Sequence, residues 1–133
     1  LSRELVEQIE KVEKNTADKD RMTLLIALNY GGRQDILQAV KKIVDDVQNG
    51  LLDKDSITEK DIQKRLYTED IPDPDLMIRT SGEMRISNFL IWQCSYTEFY
   101  FTDVLWPDFR EKHFRDALLE YQRRNRRFGS LGK

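Results

Sequence analysis

Leu76-Met77-Ile78-Arg79-Thr80-Ser81-Gly82-Glu83-Met84-Arg85-Ile86-Ser87 opens with three apolar residues and runs straight into a polar loop. The apolar triplet reads as a short buried strand. Upstream, Ile71-Pro72-Asp73-Pro74-Asp75 cannot continue a helix, because proline lacks an N–H and restricts the residue before it. Downstream, Gly82 lets the backbone turn, and Ser87 stands where a helix through Phe89, Leu90, Ile91 and Trp92 would start. The reading is therefore strand, arginine-bearing loop, helix.

The same alternation extends in both directions. Met22-Thr23-Leu24-Leu25-Ile26-Ala27-Leu28 is a continuous apolar run, the pattern of a central strand covered on both faces. It enters Asn29-Tyr30-Gly31-Gly32-Arg33, a glycine turn. A helix follows, with Ile36, Leu37, Val40, Ile43, Val44 and Val47 on one face and Gly50 as its C-cap glycine. A first helix carries Leu5, Val6, Ile9 and Val12 behind an N-cap at Ser2. Another begins at Thr58, with Asp61 completing a capping box and Ile57 set to pack on Ile62, and ends near Leu66. Residues 97–102 are aromatic and β-branched, a third strand. Asp108 and Glu111 form a capping pattern for a last helix, with Phe114, Ala117, Leu118 and Tyr121 inward and arginines 123–127 in its final turns. Residues 51–56 are the one candidate mobile loop. Strands alternating with helices predict an α/β fold, a parallel sheet with helices on both faces.

The chain has 133 residues, enough for one domain, with 22 basic and 24 acidic side chains and a net charge of −2. That balance excludes bulk electrostatic attraction to nucleic acid. The charge is uneven: residues 51–83 hold nine acids and five bases, and residues 110–133 hold eight bases and three acids. The single cysteine, Cys94, reads as a small buried apolar residue and forms no internal disulfide, which suits a reducing compartment. The single histidine, His113, reads as a helix-surface residue. No stretch approaches the ~18 apolar residues of a membrane span. Trp92, Trp106 and their aromatic neighbours lie in apolar strings, so they read as core rather than as a base-stacking surface. There is no Walker-type loop and no convincing Ser-His-Asp set. Leu1 falls at the start of an amphipathic helical pattern, so we expect the chain to be part of a longer protein.

Ligands of open parallel sheets bind beyond the carboxyl ends of the strands. Arg79, Arg85, Ser87 and the expected helix N–H groups together suit a multiply charged oxyanion. The plainer alternative is an internal ion pair of Arg79 or Arg85 with Glu83. Glu98, an acid among Tyr96, Phe99, Tyr100 and Phe101, is either a solvent-facing strand residue or a group paired with a cation. Near a diphosphate it would suit magnesium.

The block from Asp75 through Arg85 to Gln93 closely resembles a signature of the cis-prenyltransferases of the bacterial undecaprenyl diphosphate synthase type. So do Tyr96-Thr97-Glu98-Phe99-Tyr100-Phe101, Trp106-Pro107-Asp108-Phe109, Asn29-Tyr30-Gly31-Gly32-Arg33 and Arg126-Arg127-Phe128-Gly129. The resemblance implies sequential condensation of isopentenyl diphosphate onto an allylic diphosphate, giving a long-chain polyprenyl diphosphate for cell-wall synthesis. It implies that Arg79, Arg85 and Ser87, with Ile86 between them, bind isopentenyl diphosphate. It implies Mg2+ held by Glu98 and by an aspartate of an amino-terminal phosphate loop that these 133 residues do not contain. It further implies a homodimer in which Arg127 and Gly129 reach the partner's site, although Gly129 also reads as a helix C-cap. The aromatic run from Phe99 to Trp106 is a candidate interface. A cytoplasmic enzyme is implied, peripheral at the inner face of the plasma membrane, to which the product passes. On this reading residues 1–133 are the carboxyl-terminal part of one domain, inactive alone. A noncatalytic partner subunit of a heteromeric enzyme and a plain anion-binding module, for example for RNA, are the alternatives.

Overall fold

The computed structural model describes residues 2–126. Its helices are α1 (Arg3–Thr16), α2 (Gly32–Gln48), α3 (Glu59–Gln63) and α4 (Glu111–Arg123); its strands are β1 (Leu76–Arg79) and β2 (Glu98–Phe101). The two strands pair in parallel, with Leu76 opposite Glu98 and Arg79 opposite Phe101. The fold is α/β, as the alternation of apolar patterns implies. Helix α4 packs against β2, and α3 packs against α2.

Local chemistry accounts for most helix starts. The Ser2 hydroxyl accepts from the Leu5 N–H at 3.3 Å. The Asp61 carboxylate accepts from both the N–H and the hydroxyl of Thr58, at 2.9 and 2.6 Å, closing the expected box at α3. Gly50 takes φ 69° just beyond α2, the left-handed position that favours glycine. At α4 the expected Asp108 cap is replaced. Residues Trp106–Asp108 form a single 3-10 turn, and His113 Nδ1 accepts from the Arg110 N–H at 3.0 Å.

Three expectations are corrected. Residues 22–28 take no regular secondary structure, and Met22, Leu24 and Ile26 are 80, 75 and 73% exposed. A strand needs a neighbour for its N–H and C=O groups, and among the described residues only β1 and β2 pair. The second half of the segment, residues 25–28, instead lines an open apolar groove of about 600 Å³ with Tyr67, Ile71, Phe89 and Leu90. Second, α2 buries a stripe of Gly32, Asp35, Ala39 and Ile43, leaving Leu37, Val40 and Val44 exposed. Third, α4 buries Ala117 while Phe114 and Leu118 stay partly exposed.

The buried stripe of α2 is organised by a carboxylate. Asp35 is 1% exposed. It accepts from the Tyr30 hydroxyl at 3.0 Å, the Gln38 amide at 3.2 Å, the Tyr67 N–H at 2.8 Å and the Gln93 amide at 3.3 Å. Gln93 also donates to Thr68 Oγ1 at 2.8 Å. A buried carboxylate is tolerated only when its lone pairs are satisfied, and here four donors do so, two of them nearby in the chain and two distant. Burial, with the Asp35 carboxylate beside it, pushes the Tyr30 hydroxyl up to about 12. Below this hub, Arg65 ties α3 to α2 by donating to Asp46 Oδ2 through Nε and Nη2 at 2.9 and 2.5 Å.

Asp35→Ala leaves those four donors without their acceptor. The expected loss is at least about 3 kcal/mol by urea unfolding, and Asp35→Asn, which keeps one acceptor oxygen, should lose less. A change within the ~0.5 kcal/mol of a surface substitution would contradict the hub.

Candidate functional site

The carboxyl ends of β1 and β2 are sewn together by main chain. Beyond Arg79 the chain turns through Ser81 and Gly82, both left-handed at φ 68° and 67°. The Ser81 N–H donates to Val104 O at 2.9 Å and the Gly82 N–H to Thr102 O at 3.0 Å, while the Thr102 N–H donates to Arg79 O at 3.0 Å. A Cβ on Gly82 would lie 3.1 Å from the Asp103 carboxylate, so the close approach of the two loops needs glycine there. Arg79, half-buried, thus leaves β1 at the ligand end of the parallel pair.

Arg85 is exposed and ion-paired with Glu83, the plainer partner that the sequence allows. An exposed pair of this kind is worth at most about 1 kcal/mol, so the guanidinium exchanges its partner readily for a stronger anion. Arg79 makes no ion pair among the described residues. Ile86 is half-buried beside Arg85, and Ser87 is exposed.

The expected helix from Ser87 is absent. Ser87, Asn88 and Leu90 lie at φ 47°, 64° and 47°, and three left-handed residues cannot enter a right-handed helix. Residues 87–96 form turns, held by Phe89 N–H to Ile86 O at 2.9 Å and Cys94 N–H to Leu90 O at 3.0 Å. No helix N-terminus therefore faces an anion at Ser87, and the groups on offer are the two guanidiniums and the hydroxyl. Left-handed residues other than glycine cost on the order of 1 kcal/mol each and persist only when neighbours hold them. The neighbour here is the start of α2. Asn88 O accepts from the Gly32 N–H at 2.7 Å, and Asn88 Oδ1 accepts from the Arg33 N–H at 3.0 Å. Phe89 packs edge-on to Tyr30, ring centroids 5.6 Å apart.

Glu98 lies at the amino end of β2, three residues from the Arg79 level, about 10 Å along the strands. It is half-buried and paired: Arg124 Nη1 donates to Glu98 Oε2 at 2.9 Å and to Phe99 O at 2.8 Å. Arg124 reaches it because α4 ends at Arg123 and the next residue is extended. Among the described residues no hydrogen bond falls on Glu98 Oε1, and no three His, Cys, Asp or Glu side chains gather as a metal site. Arg126 donates to Asp75 at 2.5 Å and to the Tyr121 hydroxyl at 2.9 Å, anchoring the end of the described chain at the entry to β1. Arg127 and Gly129 lie outside the described residues. Cys94 is buried, and burial pushes its thiol up, away from nucleophilic use. Among the described residues no helix is long and apolar enough to cross a membrane.

Sequence reasoning missed Asn88, Asp35 and Arg124. Each acts on a partner far away in the chain, 55 residues for Asn88 and Arg33 and 26 for Arg124 and Glu98. Single-sequence patterns do not carry such pairings. The one local hint was an asparagine in a loop, the side chain that best tolerates the left-handed region after glycine.

Residues 1–129 match the family model described as putative undecaprenyl diphosphate synthase. The chain is 54% identical over 123 residues to the isoprenyl transferase of Geobacillus kaustophilus, covering 92% of this chain and 48% of that protein. It is 52% identical over 129 residues to the ditrans,polycis-undecaprenyl-diphosphate synthase ((2E,6E)-farnesyl-diphosphate specific) of Pasteurella multocida, covering 97% of this chain and 54% of that one. Its fold superposes on lavandulyl diphosphate synthase from Lavandula x intermedia, solved with dimethylallyl diphosphate. That match has a TM-score of 0.93 at 42% identity, over 98% of this chain and 56% of the other. The chain spans about half the length of the curated relatives it matches.

The Glu98–Arg124 pair is half-buried, so it should couple energetically. A double-mutant cycle with Glu98→Gln and Arg124→Gln is expected to give an interaction of roughly 1 kcal/mol in urea unfolding. Strict additivity would mean that the pair holds nothing in place.

Proposed function

We propose that this chain, which belongs to the undecaprenyl diphosphate synthase family of prenyltransferases, carries the isopentenyl diphosphate site of a longer enzyme. That enzyme condenses isopentenyl diphosphate units onto an allylic diphosphate, forming a cis double bond at each addition, and releases a long-chain polyprenyl diphosphate of the undecaprenyl type. The observation that supports this most is that Arg79 ends a strand of the parallel pair and the Arg85–Ser87 loop follows beyond that carboxyl end.

The chemistry explains the residue types. The allylic C–O bond breaks and diphosphate leaves with its electron pair. The alkene of isopentenyl diphosphate then forms the new C–C bond and loses a proton. The second substrate must be held with its alkene facing the allylic carbon, and this is a positioning task. Two guanidinium forks grip a diphosphate bidentately where lysines would offer only point charges. Ser87 adds a neutral donor, and the half-buried Ile86 an apolar contact.

The residues present are compatible with one magnesium ligand. Glu98 has its charge partly balanced by Arg124 and keeps Oε1 open, and magnesium commonly takes one or two carboxylates with water and phosphate oxygens. Glu98 would hold the ion with an aspartate from the rest of the enzyme, and the ion would neutralise diphosphate charge. Residues 1–133 form the carboxyl-terminal part of a single domain whose remaining part covers the apolar run of residues 22–28. Alone, they are inactive. The complete protein acts as a cytoplasmic homodimer that delivers its product to the membrane, with Arg127 and Gly129 directed at the neighbouring subunit's site.

In the complete enzyme, Arg79→Ala and Arg85→Ala should each raise the KM for isopentenyl diphosphate by about tenfold or more. The KM for the allylic substrate should stay nearly constant. Unchanged KM values for isopentenyl diphosphate in both variants would remove these arginines from the site.

A further inference from the structure

We propose that Asn88 is a positioning residue, which fixes the Arg85–Ser87 loop by capping α2 from a distant part of the chain; this rests on the reading of that loop as the isopentenyl diphosphate site. A helix normally receives its first cap from the residue just before it, and here that residue is Gly31, which has no side chain to offer. Two of the orphan N–H groups of α2 are satisfied from elsewhere. The Gly32 N–H donates to Asn88 O at 2.7 Å and the Arg33 N–H to Asn88 Oδ1 at 3.0 Å. One residue thus caps two successive donors, and the capping runs in both directions. The helix gains its cap, and the loop gains two fixed points that hold Ser87 and Asn88 at φ 47° and 64°.

The surroundings leave this contact little freedom. A Cβ on Gly31 would lie 2.8 Å from the Asn88 amide nitrogen, and a Cβ on Gly32 would lie 2.9 Å from Ile91 Cγ1 and 3.0 Å from the Ile91 N. The two glycines let the loop lie directly on the helix start. Behind it, Phe89 meets Tyr30 and Gln93 meets the buried Asp35 carboxylate, so the 87–93 segment is closed onto residues 30–35 along its length. Asn88 is adjacent to Ser87 and three residues from Arg85. A shift at Asn88 therefore moves both groups that would grip the diphosphate. It does not touch α3, whose tether to α2 is Arg65.

The test uses the complete enzyme and four variants. Asn88→Gly keeps the left-handed backbone comfortable and the main-chain carbonyl in place while removing the side-chain amide and its Oδ1 acceptor; Asn88→Ser returns a short neutral acceptor. Arg65→Ala weakens the α2–α3 contact without reaching the loop, and Arg79→Ala reports on the site itself. Asn88→Gly should raise the KM for isopentenyl diphosphate about fivefold or more, with the allylic KM within about twofold. Asn88→Ser should recover part of that loss, and Arg65→Ala should lower stability with no such split. The inference is overturned if Asn88→Gly leaves the isopentenyl diphosphate KM unchanged, or raises both KM values together. It is equally overturned if Arg65→Ala reproduces the split. Should Asn88→Gly fail to fold, Asn88→Ser decides alone, by an intermediate rise in that KM or by none. If Arg79→Ala also leaves that KM unchanged, the reading of the loop falls and this inference falls with it. An effect of Arg79→Ala without one of Asn88→Gly removes only the positioning role.

Discussion

The buried carboxylate of Asp35 is the constraint around which the rest of the chain is arranged. A carboxyl group at 1% exposure must have its oxygens filled, and the donors come from Tyr30, Gln38, Tyr67 and Gln93. Those residues lie before α2, within it, after α3 and in the turns that follow the arginine loop. Bringing them to one point draws the 29–35 and 87–93 segments together. The small apolar core of Ala39, Ile43, Leu66, Cys94 and Ala117 would not by itself specify that meeting, because apolar burial is non-directional. Hydrogen bonds to a buried charge are directional, so they select one arrangement.

Rigidity and weak pairing divide the site between them. The backbone around the candidate ligand groups is held tightly, by the loop-to-loop bonds of Ser81, Gly82 and Thr102 and by the two bonds of Asn88 to the start of α2. The ligand groups themselves are lightly held. Among the described residues the exposed Arg85 pairs only with the half-buried Glu83, and Arg79 has no ion pair. Fixed backbone with exchangeable side-chain partners is the arrangement a binding site for an anion needs, since little ordering cost remains at the moment of binding. Glu98 differs in kind. Arg124 holds it firmly on one oxygen and leaves the other open, at the opposite end of the strand pair from Arg79.

What was legible in the sequence is what local chemistry decides. Ser2 and the Thr58–Asp61 box mark helix starts because a cap and its helix are three residues apart. The apolar triplet before Arg79 and the aromatic run at residues 98–101 became a parallel pair because both were short, apolar and separated by enough chain to cross over. The failures have equally specific causes. Ser87 read as a helix cap because capping side chains and left-handed loop residues draw on the same small polar types, and only the backbone angles separate them. The capping of α4 shifted from Asp108 to His113 because the 3-10 turn at Trp106 displaced the helix start. The run at residues 22–28 carries the pattern of a strand covered on both sides, and among the described residues no strand pairs with it. The polarity of α2 misled because a buried aspartate counts as exposed in any apolar-periodicity argument, yet Asp35 lies at the centre of the buried stripe.

The central claim is that Arg79, Arg85 and Ser87 grip one diphosphate. It is tested most directly by a crystal structure of the complete protein with isopentenyl diphosphate bound. The account predicts diphosphate oxygens within hydrogen-bonding distance of both guanidiniums and the Ser87 hydroxyl, with the Arg85–Glu83 pair opened. Asn88 should remain on the start of α2. A diphosphate seated elsewhere, with Arg85 still on Glu83, would contradict it.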